Sequence, residues 1–156
     1  MTGAEELELR PMPYDCDVVQ ELEAQVQLLY AELYGGPDET RTDPLEFAAP
    51  DGLFLVGFVD AEAVATGGLR RHDARSAEVK RMYVVPSHRG HGHARALLAG
   101  LEAFALRTGY EQVLLETAVR QPEAIALYES SGYRPVANFG HYRDSPLCRS
   151  FVKSLR

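Results

Sequence analysis

The feature that most constrains this chain lies between residues 82 and 98, MYVVPSHRGHGHARALL. Met82 to Val85 read as the end of a strand, and Pro86 stops it, having no backbone N–H to give a neighbour. Ala94, Leu97, Leu98, Leu101 and Ala105 then recur at helical spacing on one face, and Gly109 stands where the helix should end. Between strand and helix come Arg89, Gly90 and Gly92. The first amides of a helix have no partner within it, and the helix dipole adds partial positive charge there. Glycine lets an anion approach without meeting a Cβ, and Arg89 adds a forked, fixed charge. Such a turn suits a phosphate or pyrophosphate. On this reading a bulky residue at Gly92 fills the phosphate's space and leaves the fold intact.

Three families of phosphate-binding turn use this physics. A P-loop needs GxxxxGK[ST], and no Gly-Lys pair is present here. A dinucleotide-binding turn needs GxGxxG after the first strand of a parallel unit, whereas GHGHAR lacks the third glycine. The runs before it, GLFLVGFVD, AVATGGLRR and SAEVKRMYVVP, read as an antiparallel meander with a turn at Asp60-Ala61-Glu62. A nucleotide-binding oxidoreductase is disfavoured on both counts. The third pattern, R-x-x-G-x-[G/A], is met by Arg89-Gly90-His91-Gly92-His93-Ala94.

The rest of the chain alternates strands and helices. ELELR leads into Pro11 as a short strand. Val18, Val19, Leu22, Val26, Leu29 and Leu33 mark a helix, with Asp17 as its expected N-cap and Gly35-Gly36 as its end. Residues 35–51 read as a loop, with a short helix near Leu45 to Ala48. EQVLLET is a compact apolar strand, and Pro122 opens a helix that ends at Gly132. YRPVANF and LCRSFVKSL read as a final strand pair. The expectation is one α+β domain over residues 1–156, built on a single mixed sheet.

The phosphate turn resembles the coenzyme A pyrophosphate loop of the GNAT superfamily of N-acetyltransferases. Met82-Tyr83-Val84-Val85-Pro86 resembles that family's fourth strand and Leu114-Leu115-Glu116-Thr117 its fifth. Ala124-Ile125-Ala126-Leu127-Tyr128-Glu129, followed by Ser131-Gly132-Tyr133, resembles its A-I-x-L-Y-x-x-x-G-[FY] signature. The resemblance implies a mixed, mostly antiparallel sheet flanked by helices and splayed between the fourth and fifth strands. It implies acetyl-CoA as co-substrate and no metal. The pantetheine arm would pair with Met82, Tyr83 and Val84, and the pyrophosphate would lie on Arg89, Gly90, His91, Gly92, His93 and Ala94. Gln121 stands where the family often has Asn and is a further candidate contact. Pairing of C-terminal strands into a homodimer is a family habit.

Acetyl transfer needs a neutral amine, a polarised thioester carbonyl and help for the leaving thiolate. By the resemblance, Tyr128 serves the thiolate and a backbone amide of the fourth strand the carbonyl. Glu116 matches a position that acts as base in some family members. Glu78 is the second candidate base, and strand alternation puts it on one face with Lys80 and Met82. Tyr34, Arg41 and His141 to Asp144 are candidate acceptor contacts from the flanking loops. The expected activity is N-acetylation of a small-molecule or peptide amine by direct attack in a ternary complex. The alternative is a non-catalytic acyl-CoA sensor or partner module.

Composition narrows the partners. Sixteen Lys and Arg against 23 Asp and Glu give a net charge of −7, a poor basis for nucleic-acid binding. His88, His91 and His93 sit in a flexible turn without nearby Cys or carboxylate, so a metal is not expected. Cys16 and Cys148 form no metal or redox motif. The first residues lack a signal-peptide pattern and no apolar run reaches a membrane span, so the expected location is the cytoplasm.

Overall fold

The computed structural model describes residues 6–38 and 42–156. Among these residues seven strands form one sheet in the order β1-β2-β3-β4-β5-β7-β6. The strands are β1 (Glu8–Pro11), β2 (Leu53–Val59), β3 (Glu62–Arg71), β4 (Ser76–Val84), β5 (Gln112–Ala118), β6 (Arg134–Val136) and β7 (Cys148–Ser154). β4 and β5 run parallel and all other neighbours antiparallel. The helices are α1 (Asp17–Tyr34), α2 (His93–Thr108) and α3 (Pro122–Ser130). Short 3₁₀ turns occur at Pro44–Phe47 and Pro86–His88.

Helices cover both faces of the sheet, which explains why β2 is apolar along its length rather than alternating. On one face α2 lays Leu97, Leu98, Leu101 and Ala105 against Leu55, Leu69, Val79 and Leu115, and α3 adds Tyr128. On the other face Val19 and Leu22 of α1 meet Tyr14, Phe47, Phe54 and Val56. The helices meet both cores through the 3.6-residue spacing visible in the chain. No helix among the described residues is long and apolar enough to cross a membrane.

The ends of the elements follow the expected punctuation with one exception. Gly35 and Gly109 close α1 and α2 in the left-handed conformation, at φ 79° and 102°. Pro122 is the first residue of α3. Asp17, however, is not the N-cap of α1. Cys16 takes that place with extended backbone and no side-chain cap bond, and Asp17 instead sits in the first turn, where its charge favours the helix dipole.

The β2–β3 hairpin turns on Asp60 and Ala61, both at positive φ, 48° and 68°. Alanine has no hydrogen bond to offset the left-handed conformation. Ala61→Gly is therefore expected to stabilise the fold. The relief of ~1–2 kcal/mol exceeds the entropy that glycine adds to the unfolded chain, leaving roughly 0.5–1 kcal/mol. A denaturant midpoint measurement reads this directly; an unchanged or lower midpoint contradicts it.

β4 departs from regular alternation. Gly68 opposes Lys80, but Thr66 opposes Tyr83, so β4 carries one extra residue there. Arg81 absorbs it with φ 61°, and its carbonyl accepts from Thr66 Oγ1 at 3.4 Å. The bulge corrects the expected face of Met82. Glu78 and Lys80 face α1, whereas Met82 packs towards α2 over Gly67, where a Cβ would lie 2.7 Å from its sulfur.

Candidate active site

The splay is the structural centre of the molecule. β4 and β5 pair only from Ser76–Gln112 to Val79–Leu115. Beyond that point β5 stays paired with β7 as far as Ala118, while β4 runs on to Val84 alongside β3. The strands part, and a cleft of about 520 Å³ opens between them. From Lys80 onward, β4 presents backbone donors and acceptors on the open side with no strand to receive them.

The floor of the cleft includes Met82 from β4, Glu116, Thr117 and Ala118 from β5, and Tyr128 from α3. Tyr128 is 6% exposed, wedged beside the rings of Tyr133 and Phe151. Burial alone pushes its phenol up to about 12. No hydrogen bond engages the hydroxyl among the described residues, so it is free to donate into the cleft. Gln121, which precedes α3, also lines the cleft, and its Oε1 accepts from Thr117 Oγ1 at 3.5 Å.

Glu116 is half-buried. Burial raises its carboxyl above the usual carboxylate range, with Lys80 opposing the shift and Glu78 adding to it. Its Oε1 is buried without a partner, and its Oε2 accepts from the Cys148 thiol at 3.7 Å. The room comes from Gly140, where a Cβ would lie 1.7 Å from Oε1. Burial and the neighbouring carboxylate also raise the Cys148 thiol, which keeps it protonated.

Glu78 is placed elsewhere. It is 4% exposed, held by Arg70 at 3.0 Å and by Lys80 at 4.0 Å, and is not among the residues lining the cleft. Tyr83 likewise turns away from it, its hydroxyl donating to Gln25 Oε1 at 3.2 Å. Tyr83 and Val84 continue β4 along β3 beyond the point where its pairing with β5 ends.

The glycine turn stands at the mouth of α2. Gly92 is the residue before its first turn, and Gly90 and Gly92 have φ of 82° and 80°. A Cβ at either would meet nothing within 4 Å, so the space beside both residues is open. Arg89 folds back, its Nε donating to the Val84 carbonyl at 3.0 Å and its guanidinium over the Tyr83 ring. His93 is buried at the first position of α2, and its ring stacks with that of His91 at 5.8 Å. Ala94 follows in the same turn. The positive φ corrects one expectation: a β-branched residue at Gly92 strains the backbone as well as filling space.

The other end of the cleft is built by Tyr30 and Tyr34 of α1, the Gly35–Asp38 segment and Tyr142. Burial raises the phenols of Tyr30 and Tyr34. Asp38 accepts from Tyr142 at 3.0 Å and pairs with Arg81, which also reaches Glu23 at 3.3 Å. The bulge thus sends Arg81 to tie three segments together at this end of the cleft. Tyr34 and Tyr142 were legible as candidates; Arg81, Asp38, Tyr30 and Lys80 were not. The available signal was Lys80-Arg81, two adjacent cations in an apolar strand, which regular alternation cannot place on one face. Arg41 lies outside the described residues.

A strand pair splayed around a cleft, with a glycine turn at a helix mouth beside it, defines a coenzyme A-dependent acyltransferase architecture. The chain matches the acetyltransferase (GNAT) family over residues 23–133 and belongs to that family. It is 34% identical over 140 residues to the IAA acetyltransferase of Azospirillum brasilense, covering 89% of this chain and 92% of that one. Its fold is similar to an acyl-CoA N-acyltransferase from Klebsiella pneumoniae subsp. pneumoniae MGH 78578, with TM-score 0.82, 28% identity and coverage of 96% and 98%. It shares a fold with PaiA N-acetyltransferase from Thermoplasma acidophilum in complex with coenzyme A, with TM-score 0.73, 15% identity and coverage of 96% and 99%.

Proposed function

We propose that this protein transfers an acetyl group from acetyl-CoA to a primary amine by direct attack within a ternary complex. The observation that carries the reading is the opening between β4 and β5, with Tyr128 and Glu116 on its walls. The residues present fit the coenzyme. The unpaired edge of β4 from Lys80 to Val84 offers what an added strand would use, so the pantetheine amides have partners there. The uncrowded glycine turn at Gly90 and Gly92, ahead of a 16-residue helix, suits the pyrophosphate. When bound, acetyl-CoA supplies an acyl thioester.

The side chains divide the remaining work. Glu116 takes a proton from the acceptor ammonium, directly or through one water. The freed nitrogen forms the new N–C bond as the C–S bond breaks, and its remaining extra proton goes to Glu116 after the carboxylate has passed the first one to water. A backbone amide of β4 polarises the carbonyl. Tyr128 donates a hydrogen bond to the departing sulfur. With its phenol near 12, Tyr128 is a weaker acid than a thiol at about 8.5, so it stabilises the thiolate rather than surrendering its proton.

Titration calorimetry with acetyl-CoA tests the coenzyme placement. Gly92→Ala puts a methyl group where the anion would lie, at a backbone cost of ~1–2 kcal/mol that a folded protein can absorb. The expected result is a loss of affinity of at least tenfold with the melting transition retained. Wild-type affinity in the folded variant removes the pyrophosphate from this turn. Thiol release from acetyl-CoA across a panel of amines tests the transfer itself, and coenzyme binding without release from any amine points instead to a sensor.

A further inference from the structure

Two charged side chains at the apex of the cleft have too few partners, and their signs are opposite. Val79 and Leu115 are the last paired residues of β4 and β5, and both join the core beneath α2. The next residue on each strand, Lys80 and Glu116, therefore turns to the α1 face, one on each side of the opening. Both line the cleft. The Lys80 side chain is 9% exposed, and among the described residues its one ion pair is with Glu78 at 4.0 Å, a carboxylate already held by Arg70 at 3.0 Å. Across the opening, Glu116 Oε1 is buried without a partner. The other cation of the cleft, Arg81, is answered by Glu23 and Asp38. A buried charge so weakly held is costly unless a ligand completes it.

We infer that the acceptor is a zwitterionic α-amino acid with an apolar or aromatic side chain, its carboxylate on Lys80 Nζ and its ammonium on Glu116. The inference rests on the acetyl-transfer reading above. It matches each under-engaged charge with its opposite, and Tyr30, Tyr34, Pro37 and Leu147 give the side chain an apolar wall. A polyamine would leave Lys80 unanswered and set further positive charge beside it. A peptide N-terminus carries a neutral amide in place of the α-carboxylate. The chemistry closes: Glu116 takes one ammonium proton and passes it to water, the N–C bond forms, the C–S bond breaks with the sulfur leaving as a thiolate hydrogen-bonded by Tyr128, and Glu116 takes the second nitrogen proton as the amide forms. The N-acetyl product no longer carries an ammonium for Glu116, which favours its release.

Three probes sharing one ring and one ammonium isolate the carboxylate: L-phenylalanine, L-phenylalaninamide and phenethylamine. Each is titrated calorimetrically into the protein saturated with coenzyme A. L-Phenylalanine is expected to bind roughly 10- to 100-fold more tightly than the other two, the span of a hydrogen bond to a charged group. Lys80→Met should bring that ratio to about one, and Lys80→Arg should preserve it. Equal binding of the three to the wild type overturns the inference, as does a ratio that survives in folded Lys80→Met. Thiol release with the same probes separates the two readings. Release as fast with phenethylamine as with L-phenylalanine leaves acetyl transfer standing and overturns this acceptor. Selective binding of L-phenylalanine without release supports the acceptor site and overturns the transfer.

Discussion

Tyr128→Phe lowers kcat by roughly 10²–10³-fold, the scale for losing one donor to a developing anion in a site that excludes water. The ring stays, so its contacts with Tyr133 and Phe151 stay, and acetyl-CoA affinity should change only a few-fold. The loss falls on kcat because the hydroxyl matters most as the sulfur gains charge. The pH dependence distinguishes a hydrogen-bond donor from an acid. With its phenol near 12, Tyr128 keeps its proton throughout the neutral range. The variant's pH–rate profile should therefore keep the wild-type shape at a lower level. Steady-state kinetics from pH 6 to 9 check this, with single-turnover measurements to establish that chemistry limits the rate. An unchanged rate under that condition removes Tyr128 from the mechanism.

The parts of this molecule that were legible in its sequence are those with local causes. The glycine turn, its helix and the closing Gly109 depend on backbone conformations that few residues adopt, so the residues announce them. The meander and the apolar faces of the helices follow from local runs, turn residues and helical spacing. The splay followed only by resemblance, because nothing in β4 or β5 taken alone says where their pairing stops. The bulge at Arg81 is a long-range matter. Its strained backbone is held by Asp38, Glu23 and Thr66, which are 15 to 58 positions away in the chain. Simple alternation therefore put Met82 on the wrong face and left Lys80 unconsidered. Glu116 stood ahead of Glu78 by resemblance, while the residues alone gave both as strand carboxylates. What separates them is their surroundings: Arg70 and Lys80 hold Glu78, while Gly140 leaves Glu116 a pocket with no partner for Oε1.

Glu116→Gln is expected to move activity and stability in opposite directions. As the base, Glu116 should be worth roughly 10²–10⁴ in turnover at neutral pH. The loss should shrink at high pH, where more of the acceptor amine is already neutral. The wild-type profile should rise with pH as Glu116 loses its proton, and that limb should vanish in the variant. Stability runs the other way. Burial raises the folded-state value of Glu116 above the ordinary 4.5, so the folded chain holds this proton more tightly than the unfolded chain. Stability from this group is therefore full below pH 4.5 and is lost as pH rises through the folded value. Glutamine carries no charge to bury, so the variant should gain on the wild type as pH climbs above 4.5. Once Glu116 is ionised in the fold, the gain should level off. Paired denaturant melts at pH 4 and pH 8 read the difference. A variant that is less stable than the wild type at pH 8, or that keeps its turnover there at a rate limited by chemistry, contradicts the assignment of Glu116 as a buried base.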